Sequence, residues 1–355
     1  IRQETYLEER LIMKDLTSKR VIVTGASGMV GSHIVAELLS KGYTNITVTM
    51  RSAESLQRFH RKMERLGIDC STVVSQDVEL LNPHEVNTLL KDCDLLIHCA
   101  AQVSLGSGDG RSMIETNTRI TSVLVDCALK NNIGAMVHIS SIATFESREY
   151  PQPTDESAFA RSLNGWGPYA KSKFYSENQV WRGIRSGLNA IIINPSVILG
   201  SGSWNDSSSA ASLLKKLSHG FPFYTEGATG YVDVRDVARA TVMLAENEKA
   251  YGERYLISTH NLTHHQLMNL MADRLGVRRP WIKCSRSLLY AAATIENIFA
   301  FLTFRTPQLS RSMVRSVTSR SVYSSQKLKN TTGFEYRSLE DTLEYLIKNF
   351  RSQTT

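Results

Sequence analysis

The sequence lacks the features that mark several classes of protein. Its five cysteines contain no C-x-x-C pair, which disfavours a zinc ribbon or thiol redox motif and predicts reduced thiols in a cytoplasmic protein. It also has no apolar run of the roughly twenty residues that span a bilayer. The longest apolar stretch, 288–304, is interrupted by Glu296 and Asn297. We predict a buried amphipathic helix there and no membrane partner, with association at a membrane surface as the less favoured alternative.

Charge of one sign is not in strong excess either. The 355 residues include 41 Lys and Arg against 34 Asp and Glu, without an unbroken basic block. We interpret the net charge of +7 as spread along the chain, which favours an anionic ligand but does not argue for nucleic acid. Residues 1–10 are charged and have no apolar core, so no signal peptide is expected. No metal site is predicted.

What the sequence does contain is a glycine-rich turn near its start. The apolar, β-branched run 21–24 ends in Gly25, Gly28 and Gly31, spaced G-x-x-G-x-x-G, and helical spacing follows. This pattern predicts a strand, a tight turn and the N-terminus of a helix, whose amides face a diphosphate. A bare strand-to-helix turn is the alternative, because glycine trios are common in loops.

The rest of the first half alternates apolar runs with amphipathic stretches. Strands are predicted at 45–50, 71–76, 94–101, 135–139 and 187–194, with helices at 53–66, 83–90, 112–130 and 168–185 between them. This alternation predicts an α/β fold with a doubly wound parallel sheet.

The later part of the chain is less regular. A strand is predicted at 231–234, a helix capped by Asp236 runs to Ala245, and a strand follows near 255–258. The chain is mostly helical from 263 onward. We divide it into an extension (1–19), a dinucleotide-binding domain (20–195, with 231–258 returning to it) and a smaller, mostly helical substrate-binding domain (196–230 and 259–355).

The residue at the end of the second strand bears on the identity of the dinucleotide. In dinucleotide folds an acid about twenty residues after the glycines binds the adenosine ribose. Here Arg51 stands at that place, and a guanidinium can grip a 2′-phosphate. The sequence therefore favours NADP(H) over NAD(H), although a solvated surface arginine is the alternative.

Tyr169 and Lys173 are one helical turn apart, so both lie on one face of the predicted helix. A lysine ammonium can lower a tyrosine pKa toward neutrality and make the phenol a general acid or base. The spacing alone carries little information, because Tyr323 and Lys327 repeat it. Only Tyr169 begins a helix after the fifth strand, which ends in a serine doublet.

Taken together, these motifs resemble an extended short-chain dehydrogenase/reductase. The resemblance covers about 20–258 and rests on motifs in the family's order: the glycine turn 24–31, Asp77-Val78, His98-Cys99-Ala100-Ala101, Ser140-Ser141, Tyr169 with Lys173, Asn194-Pro195-Ser196, and 231–238. His98 departs from the family, which usually has Asn there, and leaves open how that strand end contacts the cofactor.

The resemblance implies roles for particular residues. Tyr169 would transfer the proton, Lys173 would tune it and hold the ribose, and Ser141 would bind the substrate oxygen, with Ser140 as the alternative. Asn117 would join the catalytic group or be structural. The residues that would bind the cofactor are Gly25, Ser27, Gly28, Met29, Val30, Gly31, Arg51, Asp77, Val78, Ala100, Ala101, Tyr169, Lys173 and Pro195. Among them, Asp77 and Val78 would contact the adenine.

The resemblance is strongest to the dihydroflavonol reductase and hydroxysteroid dehydrogenase branches. It implies NADPH-dependent reduction of a ketone or aldehyde, or oxidation of the alcohol. A nucleotide-sugar epimerase or dehydratase, and a catalytically silent NADP sensor, are the alternatives. A homodimer is also expected, through six apolar residues of two predicted helices: Val123, Leu124, Ala128, Leu129, Phe174 and Trp181.

Overall fold

The fold is described from a computed structural model, which covers residues 17–102, 110–200, 210–303 and 311–354. The predicted extension 1–19 lies mostly outside these ranges. The strands are β1 (Val21–Thr24), β2 (Ile46–Met50), β3 (Val74–Asp77), β4 (Leu95–His98), β5 (Ala135–Ile139), β6 (Pro153–Thr154), β7 (Ala190–Pro195), β8 (Val197–Leu199), β9 (Phe223–Tyr224), β10 (Ala228–Asp233), β11 (Arg254–Ile257), β12 (His260–Thr263), β13 (Ile282–Lys283) and β14 (Val322–Tyr323).

The helices connect these strands along the chain, and two short 3₁₀ turns (Ile142–Thr144 and Glu248–Ala250) supplement them. The helices are α1 (Met29–Ser40), α2 (Ala53–Arg65), α3 (Pro83–Leu89), α4 (Gly110–Asn131), α5 (Pro168–Arg185), α6 (Ala210–Ser218), α7 (Val234–Ala245), α8 (His264–Leu275), α9 (Arg286–Thr303), α10 (Arg311–Thr318), α11 (Gln326–Thr332) and α12 (Leu339–Thr354).

The central sheet has seven parallel strands in the order β11-β7-β5-β4-β1-β2-β3. The predicted doubly wound parallel sheet is therefore confirmed. The strand order reverses between β1 and β4, and parallel α/β sheets bind ligands at the carboxyl ends of the strands beside such a reversal. The glycine turn follows β1, so the sequence places it at this point.

Alternate residues of each strand face two separate layers of helices. Val21 and Val23 of β1 pack in a cluster with apolar residues of α1, α2 and α7, whereas Ile22 packs in a second cluster with residues of α3, α4 and α5. Because both faces are covered, most strand positions are apolar, and β3 at the edge of the sheet is the exception. That is why they were recognisable in the sequence.

The segment 231–258 divides between the two parts of the fold. Its first strand, β10, pairs with β8 and β12 in a separate three-stranded sheet, whereas β11 joins the central sheet beside β7. The prediction that Asp236 caps the following helix is wrong. Asp233 caps α7 by accepting a hydrogen bond from the amide of Arg235. Asp236 is buried in the first turn and pairs with Arg337 at 2.5 Å.

A third apolar cluster lies outside the central sheet. It joins residues of α6, α8 and α12 around Tyr231 of β10. These helices lie in the ranges that we predicted for a smaller, mostly helical substrate-binding domain, and that domain division stays a prediction.

Two expectations about apolar surfaces change with the structure. Val123, Leu124 and Ala128 are buried against the central sheet of their own chain, so they are not available for a dimer contact. The prediction of a buried helix at 288–304 is also wrong for the described side chains, because Leu288 and Ile295 of α9 are exposed. No helix in the described ranges has the length and apolar character needed to cross a membrane.

Candidate active site

The glycine turn packs against the end of β4. Gly25 has a φ of +72°, and a Cβ there would lie 2.6 Å from the backbone nitrogen of Ala100. A Cβ on Gly31 would collide with the carbonyl group of Gly25. These two positions require glycine because the backbones of the turn, α1 and β4 approach so closely.

Gly28 has a different environment. Among the described residues, a Cβ on Gly28 would meet only the carbonyl oxygen of Gly25, at 3.1 Å. Gly28 is also the N-cap of α1, where no side chain caps the helix and no acid stands in its first turn. An open approach to uncapped helix amides fits a diphosphate, and Ser27, Met29 and Val30 belong to the same turn.

Lys62 of α2 also reaches this turn, and the sequence did not single it out. Its ammonium donates to the carbonyl oxygen of Ser27 at 2.6 Å. Burial, together with the charges of Arg58 and Arg65, lowers the pKa of Lys62 to about 8. The sequence could have indicated this contact, because Lys62 follows Phe59 by three residues and Phe59 is buried on the inner face of α2.

The residues predicted at the adenosine end lie at neighbouring strand ends. Arg51 is exposed immediately after β2, and Asp77 pairs with Met50 at the end of β3. Val78 is buried beside them. The structure therefore brings together the positions that the resemblance assigned to the adenosine half.

His98, which departs from the family pattern, makes its contacts inside the protein. Its ring lies within the protein, with Nδ1 2.8 Å from the Thr24 hydroxyl and Nε2 3.3 Å from the Thr121 hydroxyl. Burial, aided by the charge of Lys173, lowers the pKa of His98 to about 3. The neutral ring ties β1, β4 and α4 together, and Ala100 and Ala101 follow it at the sheet edge.

Tyr169 stands at the start of α5, which begins with Pro168 after the uncapped Gly167. A side-chain hydrogen bond joins Tyr169 to Ser141. Ser141 lies two residues after Ile139, the last residue of β5. Burial raises the pKa of Tyr169, and this hydrogen bond only partly opposes the rise. The lowered pKa that we expected is therefore not found, and the phenol is protonated at neutral pH.

Lys173 follows one helical turn later and is buried, with 7% of its surface exposed. Its ammonium donates to the carbonyl oxygen of Ile139 at 2.8 Å, at the end of β5. Burial lowers the pKa of Lys173 to about 8, while Cys99 and Glu177 oppose the change. This pKa keeps the amine charged in most molecules at neutral pH.

The serine doublet is divided between two environments. Ser141 faces Tyr169, and its hydroxyl accepts from the amide of Ala143 at 3.1 Å. The Ser140 hydroxyl instead donates to the carboxylate of Glu177 at 2.8 Å. Consecutive extended residues point in opposite directions, which explains the division.

Glu177 is the centre of a buried polar network that sequence reasoning missed. The same carboxylate oxygen accepts from Ser140 and from Thr144 at 3.0 Å and Asn194 at 2.9 Å. The other oxygen accepts from Arg254 at 3.3 Å. Glu177 follows Lys173 by one turn, so helical spacing was the available signal.

Arg254 balances this carboxylate from β11 and is itself 3% exposed. Its guanidinium lies over the rings of Phe145 and Phe159, at 4.2 and 4.1 Å. It also donates to the carbonyl oxygens of Glu156 and Ala158. The buried ion pair therefore joins β11 to α5.

Asn117 is buried in α4, and its amide is used by the protein itself. It exchanges two hydrogen bonds with the backbone of Gln102, at 2.8 and 2.9 Å, and donates to the Ser172 hydroxyl at 2.8 Å. Asn117 thus joins the segment after β4 to α5. Pro195 ends β7 and pairs with Ile257 of β11, also at the carboxyl edge.

These features fit a nicotinamide dinucleotide. The glycine turn and α1 would hold its diphosphate, and the ends of β2 and β3 would hold its adenosine. Lys173 would then lie beside its nicotinamide end. A scan against family models matches residues 21–258 to the NAD dependent epimerase/dehydratase family. The chain belongs to this family. It is an enzyme of the nicotinamide-dependent class, and its relatives act on small molecules.

Individual relatives are distant in sequence. A putative dihydroflavonol 4-reductase from Synechocystis sp. is 24% identical over 333 residues, covering 93% of this chain and 94% of its own length. The crystal structure of gox2253 has a TM-score of 0.78 and 27% identity, covering 95% and 99% of the two chains. A nucleoside-diphosphate-sugar epimerase from Pseudomonas aeruginosa has a TM-score of 0.75 and 21% identity, covering 94% and 98%.

Proposed function

We propose that this protein is an NADP(H)-dependent reductase that converts a ketone or aldehyde to the alcohol, or the reverse. The observation that carries the proposal is the arrangement of Tyr169 and Ser141 with the buried Lys173, whose ammonium donates to the carbonyl oxygen of Ile139 at the end of β5. All three lie at the carboxyl edge of the sheet, where the family binds its nicotinamide dinucleotide. That cofactor supplies or accepts the hydride.

The protein's own residues would handle the proton and the substrate oxygen. Because burial raises its pKa, the Tyr169 hydroxyl carries a proton at neutral pH and is ready to donate it to the carbonyl oxygen. Ser141 would hydrogen-bond the same oxygen. Lys173 would bind the nicotinamide ribose and stabilise the phenoxide left after proton transfer.

The preference for NADP(H) rests on the charges at the adenosine end. Arg51 occupies the place of the usual acid, and Arg58 and Lys62 of α2 add positive charge on the same side of the turn. A guanidinium–phosphate pair is a strong, charge-assisted contact. Cofactor titration of the purified protein should therefore show tighter binding of NADPH than of NADH.

Arg51→Asp tests this assignment. It should weaken NADPH binding about 10- to 100-fold and improve NADH binding, because a lost charged hydrogen bond costs about 1.5–3 kcal/mol. Arg61→Asp, an equally drastic change at an exposed arginine of α2, is the control and should have a much smaller effect. Equal affinity of the wild type for both cofactors would contradict the proposal.

The competing reactions are separated by turnover and by the cofactor that copurifies. A screen of carbonyl compounds for NADPH oxidation should find a substrate if the protein is a reductase. Tightly held NAD(H) would instead favour epimerase or dehydratase chemistry, and exchangeable NADPH without turnover would favour a sensor. The relative named as a putative dihydroflavonol 4-reductase supports the first of these.

A homodimer and a cytoplasmic location are further parts of the proposal. Of the six apolar residues predicted at the contact, Leu129, Phe174 and Trp181 are only partly buried within the chain. They lie on α4 and α5, so a dimer through these helices would use them. Sedimentation that shows only monomer at micromolar concentration would exclude it.

A further inference from the structure

The positive charge of this chain is concentrated in one segment. Residues 277–320 contain seven Arg, one Lys, one Glu and no Asp, a balance of +7. The chain as a whole also carries +7, so the remaining 33 basic and 33 acidic residues cancel. Our interpretation of an evenly spread charge is therefore wrong.

The same segment exposes apolar side chains. In α9, Leu288 is 56% exposed and Ile295 is 68% exposed. Ala291 and Ala292 between them are exposed as well, and Ala293 is the only buried residue among 286–296. Positions 288, 291, 292 and 295 share one face of a helix, so this face is an uncovered apolar stripe.

The strand that leads into α9 continues the pattern. Trp281 is 49% exposed and Ile282 is 39% exposed. The guanidinium of Arg278 lies 3.9 Å from the centre of the Trp281 ring. Lys283 and Arg286 are also exposed, and the Lys283 ammonium lies 3.9 Å from the carboxylate of Glu226. We call Arg278, Trp281, Ile282, Lys283, Arg286, Leu288 and Ile295 the basic–apolar face.

We propose that the basic–apolar face docks onto the surface of a membrane rich in anionic lipids. Basic residues near such a surface each contribute about 1 kcal/mol, and tryptophan is favoured at the level of the headgroups. An apolar helical stripe flanked by arginine and lysine lies in the plane of this interface rather than crossing it.

Charge argues against a second copy of this chain as the occupant. A symmetric contact would bring the exposed cations Arg278, Lys283 and Arg286 of two copies toward one another. The aliphatic stripe of Leu288 and Ile295 argues against a nucleic acid, whose phosphates and base edges offer polar partners. An anionic bilayer offers both the charge and the apolar depth.

Vesicle sedimentation with the full chain tests the proposal. The protein should bind vesicles of phosphatidylcholine and phosphatidylglycerol, bind neutral phosphatidylcholine vesicles at least tenfold more weakly, and dissociate as salt increases. Leu288→Ser with Ile295→Ser should reduce binding at least tenfold. Arg278→Gln, Lys283→Gln and Arg286→Gln combined should do the same.

Two matched controls should bind like the wild type. Val74→Ser removes an apolar side chain that is 53% exposed on β3, the far edge of the central sheet. Lys91→Gln, Arg185→Gln and Lys348→Gln remove three exposed cations outside the segment. Thermal unfolding checks that each variant is folded. If the serine variant is not folded, vesicle binding by the glutamine variant decides whether the basic–apolar face is the binding surface.

Other outcomes would overturn the proposal. These are absence of binding, equal binding to neutral vesicles, or equal losses in the controls. Self-association of the wild type that Leu288→Ser with Ile295→Ser abolishes would assign the face to a second copy. Binding of an RNA oligonucleotide that the serine variant retains, without vesicle binding, would assign it to nucleic acid.

Discussion

The chain contains the spacing Tyr-x-x-x-Lys twice, and the two copies fold differently. Tyr169 and Lys173 lie on one face of α5 and reach the carboxyl edge of the central sheet. Tyr323 instead ends the short strand β14, and Lys327 lies in the following helix α11. The same spacing therefore has geometric meaning only where one helix contains both residues.

The partners of the two pairs differ as well. The side chain of Tyr169 interacts with that of Ser141, and the buried ammonium of Lys173 donates to the backbone carbonyl oxygen of Ile139. The hydroxyl of Tyr323 lies 3.3 Å from that of Ser147. Lys327 pairs with the carboxylate of Glu253 at 2.7 Å, and 29% of its side chain is exposed. The proposed proton chemistry therefore uses Tyr169 and Lys173, whereas Lys327 forms a partly exposed ion pair.

Replacing each tyrosine by phenylalanine gives the largest expected difference. Tyr169→Phe should reduce turnover about 10²–10⁴-fold with little change in cofactor affinity, because the phenol acts on the transition state. Tyr323→Phe, the matched change in the second copy, should leave the rate within about twofold of the wild type. Steady-state kinetics on an identified carbonyl substrate measures both. Near-native activity of Tyr169→Phe would remove it from the mechanism.

The residue four positions after each lysine extends the comparison to stability. Glu177→Gln should lower the free energy of unfolding by about 3 kcal/mol, because it leaves the buried guanidinium of Arg254 without its counterion. The second copy has Thr331 there, which donates to the carbonyl oxygen of Lys327. Thr331→Val should cost only about 1 kcal/mol. Urea denaturation measures both, and equal losses would contradict the contrast.

A smaller effect is expected in the pH dependence of stability. Lys173 has a pKa of about 8 in the folded chain and an ordinary, higher pKa in the unfolded chain. Between these values the unfolded state binds more protons, so folding becomes more favourable as pH rises. The unfolding free energy of the wild type minus that of Lys173→Met should therefore increase from pH 7.5 to pH 10. A constant or falling difference would show that Lys173 is not penalised by burial.

The smallest effect is expected for Lys327→Met. Partly exposed ion pairs contribute about 0–1 kcal/mol, so losing the contact with Glu253 should cost no more than that. Cofactor affinity and turnover should be unchanged, as measured by titration and kinetics. A loss of turnover comparable to that of Tyr169→Phe would mean that the second copy also serves the reaction.

Much of the fold was predictable because its signals are local. Most strands of the central sheet read as short apolar runs, and the close contact of Gly31 with Gly25 lies within one strand–turn–helix unit. β3 begins at Val74 rather than at 71, and its residues are mostly exposed at the sheet edge. Its weaker apolar pattern explains the shift.

The site was predictable only in part. The helical spacing of Tyr169 and Lys173 is a local property, but the choice between Ser140 and Ser141 depended on which hydroxyl meets Glu177 from another element. The helix cap was misassigned for a similar reason, since Asp236 is held by Arg337, 101 residues away. Such partners are invisible to patterns that span a few residues.

The sequence by itself determined the parallel sheet, the diphosphate turn after β1 and the helical face that carries Tyr169 and Lys173. Apolar periodicity, glycine conformation and helical spacing act between neighbours along the chain, so their result can be read from it. Tertiary structure alone decided that Lys62 reaches Ser27, that Arg254 neutralises Glu177 and that α9 leaves Leu288 uncovered. Those outcomes depend on which distant surfaces meet when the chain packs, and no local pattern specifies that.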